Sequence, residues 1–360
     1  MKNQTFWKDK KVFVTGYTGF KGSWLCLWLH SLGANITGYS FEPPTTPSLF
    51  EQCKISEITK TIMGDIRDYK HLSSSILECD PDIIFHLAAQ PLVRTSYTTP
   101  IETYETNVMG TVNLFEAVRL LTETTLKNRA IVNVTTDKCY ENKEWIWGYR
   151  EHDTLGGYDP YSNSKACSEL VTTCYVNSFF NPNNYSNHLL AIASARAGNV
   201  IGGGDWARDR LVPDCIRSIL NHESIKLRNP YSIRPWQHVL EPLSGYLLLA
   251  EKLYKDGVEY NGGWNFGPND TDVIPVKEIV HLLYNTLGEQ EKLEITSGDQ
   301  LHEANQFKLD CSKAKKILGW APRWNIEEAI NRVAEWTIAY QKQENLKEMC
   351  LSQIDAYHEF

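Results

Sequence analysis

Along the first half of this chain, short apolar runs alternate with longer stretches in which hydrophobic residues return every third or fourth position. The first run, KKVFVTG at 10–16, has the length of a strand. It leads into a stretch where Leu25, Trp28, Leu29 and Leu32 share one helical face, with Gly33 closing it. Further runs predict strands in NITGYSF (35–41), TIMGD (61–65), PDIIFHLA (81–88), AIVNVTT (130–136) and within 188–199. Helical patterns lie between them at 68–79, about 100–121 and 161–180. This alternation predicts an α/β fold, a doubly wound parallel sheet with helices on both faces.

From about residue 200 the texture changes. GGGDWARDRLVPD is a Gly-rich loop entering an amphipathic segment, a helix is expected at 242–256, and NGGWNFGPND reads as a turn-rich link. A helical pattern at 276–287 is followed by LGWAPRW and a last helix capped by Asn325. The expected division is a dinucleotide-binding domain over 1–199 and a smaller mixed α/β lobe over 200–360, some segments of which cross back to the sheet. No internal repeat is visible.

Composition narrows the function classes. Hydrophobic residues at 42% and charged residues at 22% are ordinary for a globular protein. A formal net charge of −8 argues against nucleic acid or an anionic membrane as partner. Apolar runs fall short of membrane-spanning length and MKNQTFWKDK lacks a signal-peptide core, so a cytoplasmic protein is expected. The nine cysteines include no C-x-x-C pair and read as buried free thiols. No cluster has metal-ligand spacing, and no metal is expected.

Gly16, Gly19 and Gly22 form G-x-x-G-x-x-G between the first strand and the first helix. Alone, such a triplet is a tight turn. Inside a βαβ unit it is the Rossmann-type arrangement, in which the backbone approaches a pyrophosphate at a helix N-terminus. Thr18 and Phe20 belong to the same loop. The second strand ends with Ser40 and Glu42 and no neighbouring basic residue for a 2′-phosphate, which favours NAD over NADP. Asp65, followed by Ile66, either accepts from an adenine amino group or caps the next helix. In HLAAQ, Leu87, Ala88 and Ala89 leave room for a flat cofactor, and His86 packs beneath it.

Tyr161 and Lys165 lie four apart at the start of a helix and share one face. An ammonium beside a phenol lowers its pKa and makes it a base for a hydroxyl proton while hydride leaves the adjoining carbon. The pair is common by chance, and its place after the fifth strand is what favours catalysis. Upstream, VTTDKCYEN sets Thr135, Thr136, Asp137 and Lys138 at a strand end.

Together with HLAAQ and RAGNVIGGGD, these motifs resemble the extended short-chain dehydrogenase/reductase superfamily acting on nucleotide sugars, across nearly the whole chain. The resemblance implies that Thr136 bonds the sugar 4-hydroxyl, Tyr161 is the base, and Lys165 holds the cofactor ribose, with Thr135 beside the cofactor. Epimerases of the superfamily carry small residues after the threonine, whereas 4,6-dehydratases carry Asp-Glu, an acid for the departing 6-hydroxyl and a base for C5. Asp137 with Lys138 therefore resembles the dehydratases, with a lysine in place of the glutamate. The resemblance further implies CDP-glucose as substrate, NAD as cofactor, and a bacterial surface-polysaccharide deoxysugar as destination. It places Asn199 and Arg234 at the diphosphate or hexose, with Arg208 and Arg210 as further anion candidates. It also implies a homodimer or homotetramer through the helices at 100–121 and 161–180.

Lys138 as C5 base requires a depressed pKa, which burial and Lys165 would supply. Alternatively it steadies the enolate, or it forms a surface pair with Asp137; strand alternation disfavours the pair, because neighbouring side chains point to opposite faces. A 4-epimerase or reductase of the same fold, and a non-catalytic dinucleotide sensor, are the competing readings.

Overall fold

The structure, a computed structural model, describes residues 4–227, 229–295 and 307–359. Seven parallel strands form the central sheet: β1 (Lys11–Thr15), β2 (Asn35–Ser40), β3 (Lys60–Met63), β4 (Ile83–His86), β5 (Arg129–Val134), β6 (Leu190–Ala197) and β7 (Gly262–Phe266). Their spatial order is β3-β2-β1-β4-β5-β6-β7. The chain thus winds outward from β1 in one direction, returns, and winds out on the other side. The intervening helices are α1 (Phe20–Ser31), α2 (Tyr69–Cys79), α3 (Gly110–Thr124) and α4 (Pro160–Ser178). Helices α5 (Leu211–Leu220), α6 (Leu240–Asp256), α7 (Val276–Leu287), α8 (Ile326–Gln341) and α9 (Leu346–Glu359) follow.

The two-residue period of the strands sorts their side chains into two cores. Val12, Val14, Phe85 and Val132 join one core with α1, α6, α8 and α9. Phe13, Ile84, Ile131 and Ile192 join the other, under α2 and α3. Strands β4, β5 and β6 are buried at every position, the continuous apolar reading of a sheet covered on both faces. Helix α1 is buried at every residue from Gly22 to Leu29, so it is a core helix and not only an amphipathic one.

Four expectations need correction. The presumed link NGGWNFGPND contains β7, paired in parallel with β6. Its glycines and asparagines hid a strand whose Trp264, Asn265 and Phe266 are buried. The helix expected at about 100–121 is interrupted by a wider π-type turn at Glu105–Met109. Helix α9, polar enough to carry no strong pattern, was not anticipated. All nine cysteines are free, yet Cys174 is exposed and Cys167 only half-buried.

Candidate active site

Neighbouring strands end in step. Thr15 lies opposite His86, and His86 opposite Asn133, so β1, β4 and β5 open onto a common crevice. Above it a cavity of about 570 Å³ runs from the glycine loop, past the ends of β4 and β5, to the segments after β6.

At one end, Gly16 has φ +70°, and a Cβ there would lie 2.7 Å from the Ala88 nitrogen. A Cβ on Gly22 would lie 2.4 Å from the Gly16 carbonyl oxygen. Both glycines are required to let loop and helix close on β4. Thr15 Oγ1 accepts from the amides of Leu87 and Ala88 at 3.1 Å, fixing the small-residue floor. Gly19 caps α1 without any side-chain bond to the first-turn amides, which leaves that helix start open to an anion. Thr18, Phe20, Leu87, Ala88, Ala89 and Ile66 line this end. The cradle fits a dinucleotide pyrophosphate.

Asp65 is placed differently. It does not line the cavity, and Asp68 caps α2. The Asp65 carboxylate accepts from the Arg67 amide at 2.8 Å and pairs with its guanidinium. Arg67 lies 5.9 Å from the Phe41 ring, so the fold does bring a basic residue to the end of β2. Glu102 and Glu105 face it as well. Ser40 hydrogen-bonds Thr18 at 2.9 Å, and Glu42 lines the cavity. Buried His86 bonds Thr15 and Thr111, and burial lowers its pKa to about 3.

The middle of the cavity holds Thr135, Thr136, Asp137, Lys138, Tyr161 and Lys165. Asp159 caps α4 through the Ser162 amide at 2.9 Å, and Pro160 begins the helix, which sets the direction of Tyr161 and Lys165. Lys165 Nζ donates to the Val134 carbonyl at 3.1 Å. Burial lowers Lys165 to about 8 against the pull of Glu169. Burial pushes Tyr161 up to about 12, opposed by a Thr136 hydrogen bond and by Arg210. The phenol is thus raised, against the lowering expected from Lys165, because burial outweighs the opposing pull of Thr136 and Arg210.

Strand β5 stops at Val134, and residues 137–139 form a 3₁₀ turn capped by the Thr136 hydroxyl. Strand alternation therefore does not apply to Asp137 and Lys138, and both side chains reach the cavity. Asp137 is 3% exposed. Burial lifts its carboxyl above the usual range, with Lys138, Thr136 and Arg234 holding it partly down. Lys138 is half-buried.

At the far end, Asn199, Arg210 and Arg234 line the cavity, whereas Arg208 is exposed and outside it. A short antiparallel pair, Ile233–Pro235 with Val273–Pro275, carries Arg234. Arg210 pairs with Asp205 at 3.2 Å. Two cations escaped the sequence reading. Arg94, after β4, meets Asp209 at 3.7 Å. Lys21, in the first turn of α1, is lowered to about 7 by burial, Arg210 and Lys165. A lysine immediately before the third glycine was its visible signal. Among the described residues, no group of His, Cys, Asp or Glu is arranged to hold a metal ion.

The sequence profile of the family described as GDP-mannose 4,6 dehydratase matches residues 13–333. A CDP-glucose 4,6-dehydratase of Salmonella typhimurium is 54% identical over 346 residues, 96% of this chain and 95% of that protein. A dTDP-glucose 4,6-dehydratase of Streptomyces antibioticus is 26% identical, across 90% of this chain and 91% of that one. Among solved structures, a dTDP-glucose 4,6-dehydratase from Streptomyces venezuelae, with NAD bound, shares the fold with a TM-score of 0.78 at 21% identity, covering 92% of this chain and 98% of that one. A UDP-glucose 4-epimerase from Thermotoga maritima also scores 0.78, at 20% identity, covering 92% and 99%. With the profile spanning most of its length and a relative more than half identical along nearly all of it, this chain belongs to the GDP-mannose 4,6 dehydratase family.

Proposed function

We propose that the chain converts CDP-glucose to CDP-4-keto-6-deoxyglucose and water. One observation carries the reading: a buried carboxyl, its pKa raised by burial, shares a cavity with Tyr161, Lys165 and Lys138, beside a pyrophosphate cradle. A 4-epimerase needs no such acid. The cytidine base follows from the 54% identical relative.

The glycine loop would hold NAD, which when bound would supply a hydride acceptor for C4 and a hydride donor for C6. Tyr161 takes the 4-hydroxyl proton while Thr136 orients that hydroxyl. Arg210 and the Thr136 bond offset part of the burial cost of the phenolate. Lys165 holds the ribose side of the cofactor. The 4-ketone acidifies C5–H, Lys138 takes that proton, and Asp137 gives its own to the departing 6-hydroxyl, which leaves as water; when hydride adds to C6, Lys138 returns a proton to C5, and the proton that Tyr161 gained goes back through solvent to Asp137. Carbon 4 ends oxidised and carbon 6 reduced, so the cofactor is unchanged overall. Asn199, Arg210 and Arg234 receive the diphosphate and hexose. Glu42 at the ribose end, and an Arg67 engaged by three carboxylates, support NAD over NADP.

Ile101, Met109, Leu170 and Phe179 are exposed apolar residues on the adjoining 100–124 segment, on α4 and just past its end, which supports a homodimer or homotetramer through that face. Nine free cysteines suit a cytoplasmic location, and no helix among the described residues is long and apolar enough to cross a membrane. Incubation with CDP-glucose and, separately, TDP-glucose tests the reading through the alkali-induced absorbance of a 4-keto-6-deoxy sugar. A signal from CDP-glucose is expected, and silence with both overturns it.

A further inference from the structure

One buried ion pair touches every segment that carries the reacting groups. Glu169 lies one helical turn after Lys165 on α4, and Arg196 lies three residues before Asn199 on β6. Arg196 donates from Nε and Nη2 to the two Glu169 oxygens at 2.9 and 2.8 Å, a bidentate fork. The Thr135 hydroxyl, immediately before Thr136, donates to Glu169 Oε1 at 2.5 Å. The Tyr140 hydroxyl, immediately after the 137–139 turn, accepts from Arg196 Nη1 at 2.7 Å and donates to Asn265 at 2.7 Å. Arg196 also donates to the Glu151 carbonyl at 2.9 Å and lies 5.0 Å from the Tyr140 ring centre. Strand β7 makes room for it, since a Cβ on Gly263 would come within 2.7 Å of Arg196 Cζ.

The turn between these two anchors is weak on its own. Its backbone bonds, Cys139 N to Thr136 O and Tyr140 N to Asp137 O, measure 3.4 and 3.5 Å. Tyr161 and Lys165, in contrast, ride on the regular backbone of α4. Neither Glu169 nor Arg196 lines the cavity, and a buried ion pair is a poor source of net stability.

We propose that Glu169 and Arg196 are a positioning pair that holds Asp137 and Lys138 in register with the sugar, and so governs elimination more than oxidation at C4. The proposal rests on the dehydratase reading. Glu169 also supports the charge on Lys165, so Tyr140→Phe, which leaves both charges in place and removes the hydroxyl link from the turn to Arg196, is the deciding variant. Glu169→Gln is the companion.

Wild type and variants would be mixed with CDP-glucose in deuterated water, following reduced nicotinamide by absorbance, C5 deuteration by mass spectrometry, and thermal midpoint. If the wild type forms no 4-keto-6-deoxy sugar, the dehydratase reading fails, whatever the variants do. If it does, Tyr140→Phe is expected to keep the rate of nicotinamide reduction within about threefold. C5 deuteration and product formation should fall about 10- to 100-fold, the scale of a misplaced catalytic group. Reduced nicotinamide would then accumulate. Equal loss of both rates, or loss of neither, overturns the proposal. Should Glu169→Gln fail to fold, Tyr140→Phe still decides.

Discussion

Replacing Asp137 by asparagine separates what the carboxyl does for the reaction from what it costs the fold. The amide keeps an oxygen for the Thr136 hydroxyl, now 3.1 Å from Asp137 Oδ1, and changes little in shape. It cannot protonate a departing hydroxyl. General acid catalysis contributes about 10²–10⁴-fold, roughly 3–5 kcal/mol of barrier, and Asp137→Asn should lose that much turnover of CDP-glucose. Stability should move the other way. Burial raises the folded-state pKa of Asp137 above its ordinary 3.8. Its stabilising contribution is therefore complete below 3.8 and lost as pH rises through the folded value. Asparagine has no such titration, so its thermal midpoint should equal the wild type's below pH 3.8 and exceed it once pH has risen through the folded value. Parallel measurement of the 4-keto-6-deoxy product and of thermal midpoints from pH 4 to 8 tests both halves. Turnover within tenfold of wild type would refute the acid role, and a lower midpoint at neutral pH would refute the burial argument.

Lys138→Ala, at a half-buried position, should leave the thermal midpoint nearly unchanged and cut C5 deuterium exchange about 100-fold or more; exchange at wild-type rate would exclude Lys138 as the base. Gly16→Ala forces a side chain onto φ +70° and into the Ala88 backbone, so titration calorimetry should show dinucleotide affinity falling by about tenfold or more, for a strain of about 1–3 kcal/mol. His86 and His238 are both held neutral, with pKa lowered to about 3 by burial. Their contribution is present above 6.5 and lost as pH falls toward 3, so His238→Gln should make the acid-side slope of thermal midpoint against pH shallower, by the share of about one proton taken up on unfolding. Ile101→Lys with Leu170→Lys charges the exposed two-helix face, and light scattering should then show a smaller particle than the wild type.

The parts most legible in the sequence were those with a period or a steric demand. Strands β1, β4, β5 and β6 are largely apolar runs, and Gly16 and Gly22 sit where the fold leaves no space for a Cβ. What stayed hidden depends on long-range contact. Strand β7 carries two glycines, one of which admits the Arg196 guanidinium from β6, and no local pattern encodes that. Asp65 reads as a helix cap only until Asp68 takes that place and Arg67, two residues on, bonds the Asp65 carboxylate. The turn at 137–139 looks like continuing strand because Thr136 caps it with a side chain. Lys21 and Arg94 gain meaning only when residues from past β6, Arg210 and Asp209, fold over them.

The late arrival of β7 has a consequence for how the molecule is made. Residues 262–266 lie beyond the whole loop-and-helix excursion that starts after β6, yet they complete the sheet. While the chain emerges from the ribosome, β6 has an open hydrogen-bonding edge until some two hundred and sixty residues have been synthesised, with Arg196 lacking its Gly263 cover. A fragment ending near residue 199 would keep that edge permanently. It would be a poor stand-in for the cofactor-binding half in any experiment that needs a well-behaved monomer.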